Sequence, residues 1–188
     1  LNPMNKMPRI VVDMDGVLAD TYAKFIDRYE ASFGRRPTHE ELLGRKVYDL
    51  EGAADIRNAM HDKGFFRDIA VLPGAVEVMR ELYVKYEVYI VSTASEFKHS
   101  YRDKWEWLEE HFPFINFQRI VFCGDKHIVH GNYMIDDKVG NLAGFNGTGL
   151  LFDALDNHYD EEYHRVHDWA EVRAYFQSER EQARAMEA

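Results

Sequence analysis

Five short apolar runs, each stopping at a polar or acidic cluster, constrain this chain more than any other feature. Arg9–Val12 ends at Asp13-Met14-Asp15, residues 87–91 at Ser92-Thr93, residues 119–122 at Cys123-Gly124-Asp125-Lys126, residues 133–135 at Asp136-Asp137, and residues 149–152 at Asp153. The runs are largely continuous in their apolar character rather than alternating, so each is expected to be a strand buried on both faces, as in a parallel sheet. Helical stretches separate them. Ala75–Lys85 follows Pro73-Gly74 and sets Val76, Met79, Leu82 and Tyr83 on one stripe. Residues 101–111 place Trp105, Leu108 and, just beyond, Phe112 similarly, and residues 170–185 begin amphipathic and become strongly polar. The alternation predicts an α/β fold with helices on both faces of the sheet.

Residues 20–72 break the alternation. The segment is long for a single crossover and reads as helical over Thr21–Phe33, 38–43 and 55–62, with Thr38 and Glu41 at capping-box spacing. It is expected to be a small helical cap inserted after the first strand. Residues 1–19 and 73–188 would then form the core domain, which suits a chain of 188 residues.

The net charge of −10 excludes a general polynucleotide-coating surface, which needs a basic field. A small phosphorylated ligand remains compatible, provided a metal or a few Lys and Arg supply local positive charge. The single cysteine, Cys123, rules out an intramolecular disulfide and makes a cytoplasmic setting the expectation. It follows an apolar run and reads as a core or strand-end thiol. Residues 1–8 hold no apolar signal-peptide region, and no apolar run approaches the roughly 18–20 residues of a membrane span.

Ligands of an open parallel sheet bind beyond the carboxyl ends of its strands, and here those ends carry the reactive residues. Asp13 and Asp15 lie two apart in an extended segment, so both carboxylates can face one site. Their mutual repulsion invites a hard cation such as Mg²⁺ with oxygen ligands, and Gly16 permits a sharp turn directly after them. One carboxylate can attack phosphorus while the other handles protons. Taken alone, Asp-x-Asp is an ordinary solvated turn. Asp136-Asp137 makes a second acidic pair at another strand end, with Asp136 suited to a metal and Asp137 to a neighbouring cation or water. Lys126 can offset the charge of a phosphoryl group, although an exposed loop is the common fate of a lysine. Ser92 or Thr93 can hydrogen-bond phosphoryl oxygens, or one of them can cap the next helix.

These residues together resemble the haloacid dehalogenase superfamily in its phosphatase branch, with Asp13–Val17 similar to motif I, Val88–Ser92 to motif II, Lys126 to motif III and Ile135-Asp136-Asp137 to motif IV. A closer resemblance is to the 5′(3′)-deoxyribonucleotidase family. It is carried by Asp13–Asp20, Gly64-Phe65-Phe66, Leu72–Ala75, Lys104-Trp105 and Trp107, Leu151–Asp153, and the Arg165–Val172 stretch with Trp169 and Glu171. The resemblance implies a Rossmann-like, haloacid-dehalogenase-type sheet. It implies Asp13 as nucleophile and Asp15 as acid and base. Mg²⁺ would be held by Asp13, the Asp15 carbonyl and Asp136, with Asp137 behind them, and the phosphate by Ser92 (or Thr93) and Lys126. Two departures stand out. Motif II reads Ser92-Thr93-Ala94 where Thr-Ser-Pro is common, and Thr21 replaces the aromatic residue that often follows motif I.

The organic half of a nucleotide needs a stacking surface. Phe65 and Phe66, at the junction of cap and core, are the first candidates, with Tyr48 behind them and Lys98 as a phosphate or sugar contact. Any of these can equally be packing or solvated surface. His127-x-x-His130 and His164-x-x-His167 lack the companion ligands of a zinc site. The expected partner is a small phosphomonoester, with no nucleic acid polymer and no membrane, and a homodimer stays open. The competing functions are a sugar phosphatase, a phosphomutase, or a non-catalytic phospho-ligand module; the last predicts loss of a motif acid or lysine, and none is lost.

Overall fold

A computed structural model of the protein describes residues 7–187. The stretch expected to lack a signal peptide lies mostly in residues 1–6, outside the described residues, as does residue 188.

Six strands form one parallel sheet: β1 (Arg9–Val12), β2 (Glu87–Ser92), β3 (Ile120–Phe122), β4 (Tyr133–Asp136), β5 (Thr148–Phe152) and β6 (His164–Val166). Their order is β3-β2-β1-β4-β5-β6. The first crossovers run one way from β1 and the later ones run the other way. The order therefore reverses between β1 and β4, and a crevice opens at their carboxyl ends. Register puts Val12 beside Ile135, and the Asp13 amide donates to the Ile135 carbonyl at 2.9 Å, which sets Asp13 next to Asp136.

The helices are α1 (Thr21–Phe33), α2 (His39–Leu42), α3 (Ala75–Lys85), α4 (Ser100–His111), α5 (Val139–Ala143) and α6 (Trp169–Glu187). Strand periodicity divides the interior. Ile10, Val12, Val88, Ile90, Ile135, Leu150 and Phe152 join the large cluster with α1, α3, α4 and α6, whereas Val11, Val91, Met134 and Leu151 face Leu142 of α5 and Cys123. β6 and α5 were not legible beforehand. β6 has three residues and begins with the polar pair His164-Arg165, and α5 is barely a turn and a half.

The expected stripe of α4 needs correction. Trp107, not Trp105, is fully buried, and the inward face is Ser100, Asp103, Lys104, Trp107 and Leu108. Three of those five are polar, which hid the face from an apolar count. Where the pattern predicts a helix over residues 55–62, the structure has a 3₁₀ segment at Ala54–His61.

Residues 20–72 leave and re-enter beside each other. Ala19 bridges Val71 in antiparallel sense, Asp20 donates to the Ala70 carbonyl and Leu72 to the Leu18 carbonyl, both at 2.8 Å. Two tryptophans hold this stem: Trp107 Nε1 donates to the Ile69 carbonyl and Trp169 Nε1 to the Val17 carbonyl, both at 2.7 Å. Within the segment, Thr38 and Glu41 form the expected reciprocal capping box. Among the described residues, no helix is long and apolar enough to cross a membrane.

Candidate active site

The turn after β1 is wound tightly around one buried residue. Leu18 and Ala19 amides both donate to the carbonyl of Met14, which is fully buried, and Gly16 takes φ +78°, a conformation that glycine adopts without the Cβ penalty. Asp13 and Asp15 flank Met14 and point to two different lysines. Lys126 Nζ lies 2.5 Å from Asp13 Oδ1 and 2.7 Å from Asp136 Oδ2. Lys104 Nζ lies 2.6 Å from Asp15 Oδ2 and donates to Ser92 Oγ at 2.9 Å. Both lysines are 2% exposed.

Asp136 is held from further sides. The Lys138 amide donates to it at 2.9 Å and Asn141 Nδ2 reaches both of its oxygens at 3.0 Å. The Asp137 carboxylate is the exception, because Oδ1 is buried and meets no donor among the described residues. Its other oxygen lies so close to Gly16 that a Cβ there would sit 2.4 Å away. Oxygens of Asp13, Asp136 and Asp137 all lie within 4.8 Å of one another.

The electrostatics follow from burial and crowding. Burial, then the neighbouring Asp136, pushes Asp13 up to about 6 against the pull of Lys126. Burial, then Asp13 and Asp136, pushes Asp137 well above the usual carboxylate range. Burial acts on Asp15 too, but Lys104 and the Thr21 hydroxyl, 3.0 Å away, outweigh it and hold Asp15 below its ordinary value. For Lys126 the two carboxylates outweigh burial and raise its proton affinity. A buried carboxylate oxygen without a donor, inside a trio of acids two of which are pushed toward protonation, is a donor set suited to a hard divalent cation.

Asp13, Asp15, Ser92, Lys126, Asp136 and Asp137 thus share one strand-end cluster. The carboxylate trio is Asp13, Asp136 and Asp137; the Asp15 side chain is turned away, toward Lys104 and Thr21. Thr93 sits before a short 3₁₀ turn and makes no capping bond, so Ser92 is the hydroxyl inside the cluster. Three expected substrate contacts lie elsewhere. Phe65 is 1% exposed and Phe66 fully buried; they pack edge-on at 4.9 Å, Phe65 also meets Phe25, and the Lys104 ammonium covers the Phe66 ring at 4.4 Å. Neither offers a free face, because closing the stem over the sheet used both. Lys98 is exposed and is not part of the cavity wall.

Lys104, Thr21 and Asn141 are the residues that sequence reasoning missed. Lys104 had a signal: it falls on the same helical face as Ser100, Trp107 and Leu108, and a lysine on a buried stripe needs a buried acid. Thr21, noted as a departure from an aromatic position, spends its hydroxyl on Asp15.

Next to the cluster lies a cavity of about 670 Å³. Asp15, Gly16, Asp137 and Lys138 line its floor. Tyr22, Phe25, Ile26, Tyr48 and Met60 from the 20–72 segment form one wall, and Phe152, Asp156 and Trp169 the other. Lys46 and Asp156, both in its lining, form an ion pair at 3.6 Å.

Known proteins resemble this chain along most of its length. The family model described as "5' nucleotidase, deoxy (Pyrimidine), cytosolic type C protein" matches residues 6–182. A Staphylococcus aureus (strain Mu50) protein named "Putative 5'(3')-deoxyribonucleotidase" is 41% identical over 171 residues, covering 89% of this chain and 94% of the relative. The 5'(3')-deoxyribonucleotidase of Bacillus subtilis (strain 168) is 37% identical over 169 residues, covering 87% and 95%. The crystal structure of a haloacid dehalogenase-like protein of unknown function from Agrobacterium tumefaciens superposes with a TM-score of 0.59 at 15% identity, over 92% of this chain and 98% of that one, and so shares the fold. Matched over nearly its whole length by that family model and by relatives of similar length, the chain is a hydrolase and belongs to the cytosolic type C 5′(deoxy)nucleotidase family.

Proposed function

We propose that the protein is a Mg²⁺-dependent phosphomonoesterase that dephosphorylates (deoxy)nucleoside monophosphates in the cytoplasm, with residues 1–19 and 73–188 as core and 20–72 as cap. The observation that carries this reading is the clustering of four strand-end carboxylates, three of them paired with two buried lysines, beside an aromatic-walled cavity. Relatives of nearly the same length carry deoxyribonucleotidase names.

Asp13 is the nucleophile, and Lys126 aligns it and offsets its charge. Asp13, Asp136 and Asp137, with the Asp15 carbonyl, would hold Mg²⁺, which when bound would neutralise the phosphate and the crowded acids. Ser92 and Lys104 face the same site and offer a hydroxyl and an ammonium to the phosphoryl oxygens. An Asp13 oxygen forms the new bond to phosphorus, the ester P–O bond breaks, and its electron pair leaves with the nucleoside oxygen. That oxygen takes a proton from Asp15. Lys104 keeps Asp15 ionised in the free protein, so the proton arrives with the substrate, whose second ionisation lies at about 6, and passes through Asp15. Asp15, again a carboxylate, then takes a proton from water, and the water oxygen hydrolyses the aspartyl-phosphate and frees Asp13. The cap covers the reacting atoms and excludes bulk water. Tyr48, half-buried and edge-on to Phe25 at 5.3 Å, is the stacking surface in place of Phe65 and Phe66.

A substrate panel tests this: deoxynucleoside and nucleoside monophosphates against sugar phosphates, with Mg²⁺ and with excess EDTA. Nucleotides are expected to be turned over best, with activity lost in EDTA. Equal or better turnover of sugar phosphates would overturn the substrate assignment, full activity in EDTA the metal assignment, and an Asp13→Asn variant with full activity the nucleophile.

A further inference from the structure

Three of the four strand-end carboxylates are aimed by direct donors: Asp13 by Lys126, Asp15 by Lys104 and Thr21, and Asp136 by Lys126, Asn141 and the Lys138 amide. Asp137 Oδ1 has no such donor. Its carboxylate is nevertheless confined, packed against the Gly16 Cα on one side and crowded by Asp13 and Asp136 on the other. Beyond that packing and the charge of the neighbouring Lys138, its aim comes from its backbone, which Asn157 grips.

Asn157 is 4% exposed and sits in the turn after β5, at the end of the 3₁₀ segment Leu155–Asn157. Its Nδ2 donates to the Asp137 carbonyl at 2.9 Å and to the Phe152 carbonyl at 2.8 Å. Its Oδ1 accepts from Arg165 Nη1 at 2.7 Å and from the Ala154 amide at 3.1 Å. Two carbonyls on one end and two donors on the other leave a single orientation for the amide. Arg165 is itself locked, to Asp153 Oδ1 at 2.6 Å and to the carbonyls of Asn157 and Asp160 at 2.9 and 2.7 Å. The chain of contacts Arg165–Asn157–Asp137 thus ties the carboxyl ends of β4, β5 and β6 together. A carboxylate in a cation site depends on such outer contacts for its placement, and removing one commonly weakens metal binding 10- to 100-fold.

We propose that Asn157 is a positioning residue for the divalent-cation site: by holding the Asp137 carbonyl it aims the otherwise unbonded Asp137 carboxylate at the Asp13–Asp136 pair. The inference rests on the reading of that trio as a cation site. Asn157 touches no reacting atom. It acts only through Asp137, so its loss should affect cation affinity first and the saturated chemical step less.

The test is Mg²⁺ titration by calorimetry on wild type, Asn157→Asp and Asn157→Ser, alongside Mg²⁺ dependence of turnover. Asn157→Asp keeps the acceptor for Arg165 and Ala154 but loses both donors; Asn157→Ser keeps one short donor and is the milder change. Phe176→Leu, in the Tyr86–Tyr133–Tyr175 cluster remote from the acids, serves as a control for general loss of stability. The expected result is a Mg²⁺ Kd raised about 10-fold or more in the Asn157 variants, a larger Mg²⁺ requirement for turnover, partial recovery at saturating Mg²⁺, and an unchanged Kd in Phe176→Leu. A folded Asn157 variant with the wild-type Kd would overturn the inference, as would Phe176→Leu weakening Mg²⁺ equally. Failure of wild type to bind Mg²⁺ would instead overturn the cation site itself, and the inference with it.

Discussion

Replacing Lys104 by Met removes one ammonium and keeps most of the stem that carries it. In the folded protein this ammonium is 2% exposed, 2.6 Å from Asp15, 2.9 Å from Ser92 and 4.4 Å above the Phe66 ring. Its removal leaves Asp15 with the Thr21 hydroxyl and whatever water reaches a side chain that is 28% exposed. Breaking a buried ion pair from one side costs about 3–5 kcal/mol, and the partial exposure of Asp15 sets the cost at the low end, about 3 kcal/mol. In a chain of this size each kcal/mol moves Tm by roughly 2–4 °C, so Lys104→Met should melt about 6–12 °C below wild type at neutral pH. The deficit should depend on pH. In wild type, Lys104 holds Asp15 below its ordinary value of 3.8, so the pair contributes above about pH 4 and its contribution is lost as pH falls through the depressed value. In the variant, burial acts unopposed by Lys104 and Asp15 takes up a proton more readily as pH falls, which removes the stranded charge. Thermal melts of both proteins in EDTA from pH 4 to 8 should show the largest gap at neutral pH and a shrinking gap toward pH 4. A gap that is flat across this range, or grows on acidification, would refute the account.

Three further outcomes follow from the same site. Asp13, 5% exposed, binds its proton more tightly when folded, at about 6 against an ordinary 3.8, so the stability it confers is full below about pH 4 and lost as pH rises through 6, by about 3 kcal/mol without metal; the Tm gained on adding Mg²⁺ should widen between pH 5 and 7, and a gain independent of pH would contradict this. Gly16→Ala imposes a left-handed backbone penalty of about 1–2 kcal/mol and drives a methyl to within 2.4 Å of Asp137 Oδ2; steady-state kinetics should show at least a tenfold fall in kcat/KM and a raised Mg²⁺ requirement, and wild-type kinetics would refute the packing argument. Tyr48→Ala should raise KM for nucleotides roughly 5- to 150-fold, the worth of about 1–3 kcal/mol of stacking, while leaving turnover of p-nitrophenyl phosphate intact; an equal loss on both substrates would assign Tyr48 to the stability of the 20–72 segment.

Much of the site was legible in the sequence because a parallel strand announces itself locally. Val12 before Asp13, Ile135 before Asp136 and Val91 before Ser92 are apolar runs with an abrupt polar end, and parallel pairing places all such ends on one edge of the sheet. Asp13, Asp15, Ser92, Lys126, Asp136 and Asp137 could be gathered into one site from that rule and from the order of the motifs. The contacts that aim these groups could not. Lys104 reaches Asp15 across 89 positions, Asn157 reaches Asp137 across 20, and Trp169 reaches Val17 across 152; each pairing is decided by how helices and turns stack on the finished sheet. The same stacking buried Phe65 and Phe66 and left Tyr48 on the cavity wall, since an aromatic residue reads alike in a sequence whether its face ends against protein or against ligand. The chain by itself therefore determined the sheet, its reactive edge and the residues that stand on it, because strand length and termination are local properties. Which lysine holds which acid, which carboxylate is left without a donor, and which ring lines the cavity were decided by tertiary packing, because each depends on partners that only the folded chain brings within a few ångströms.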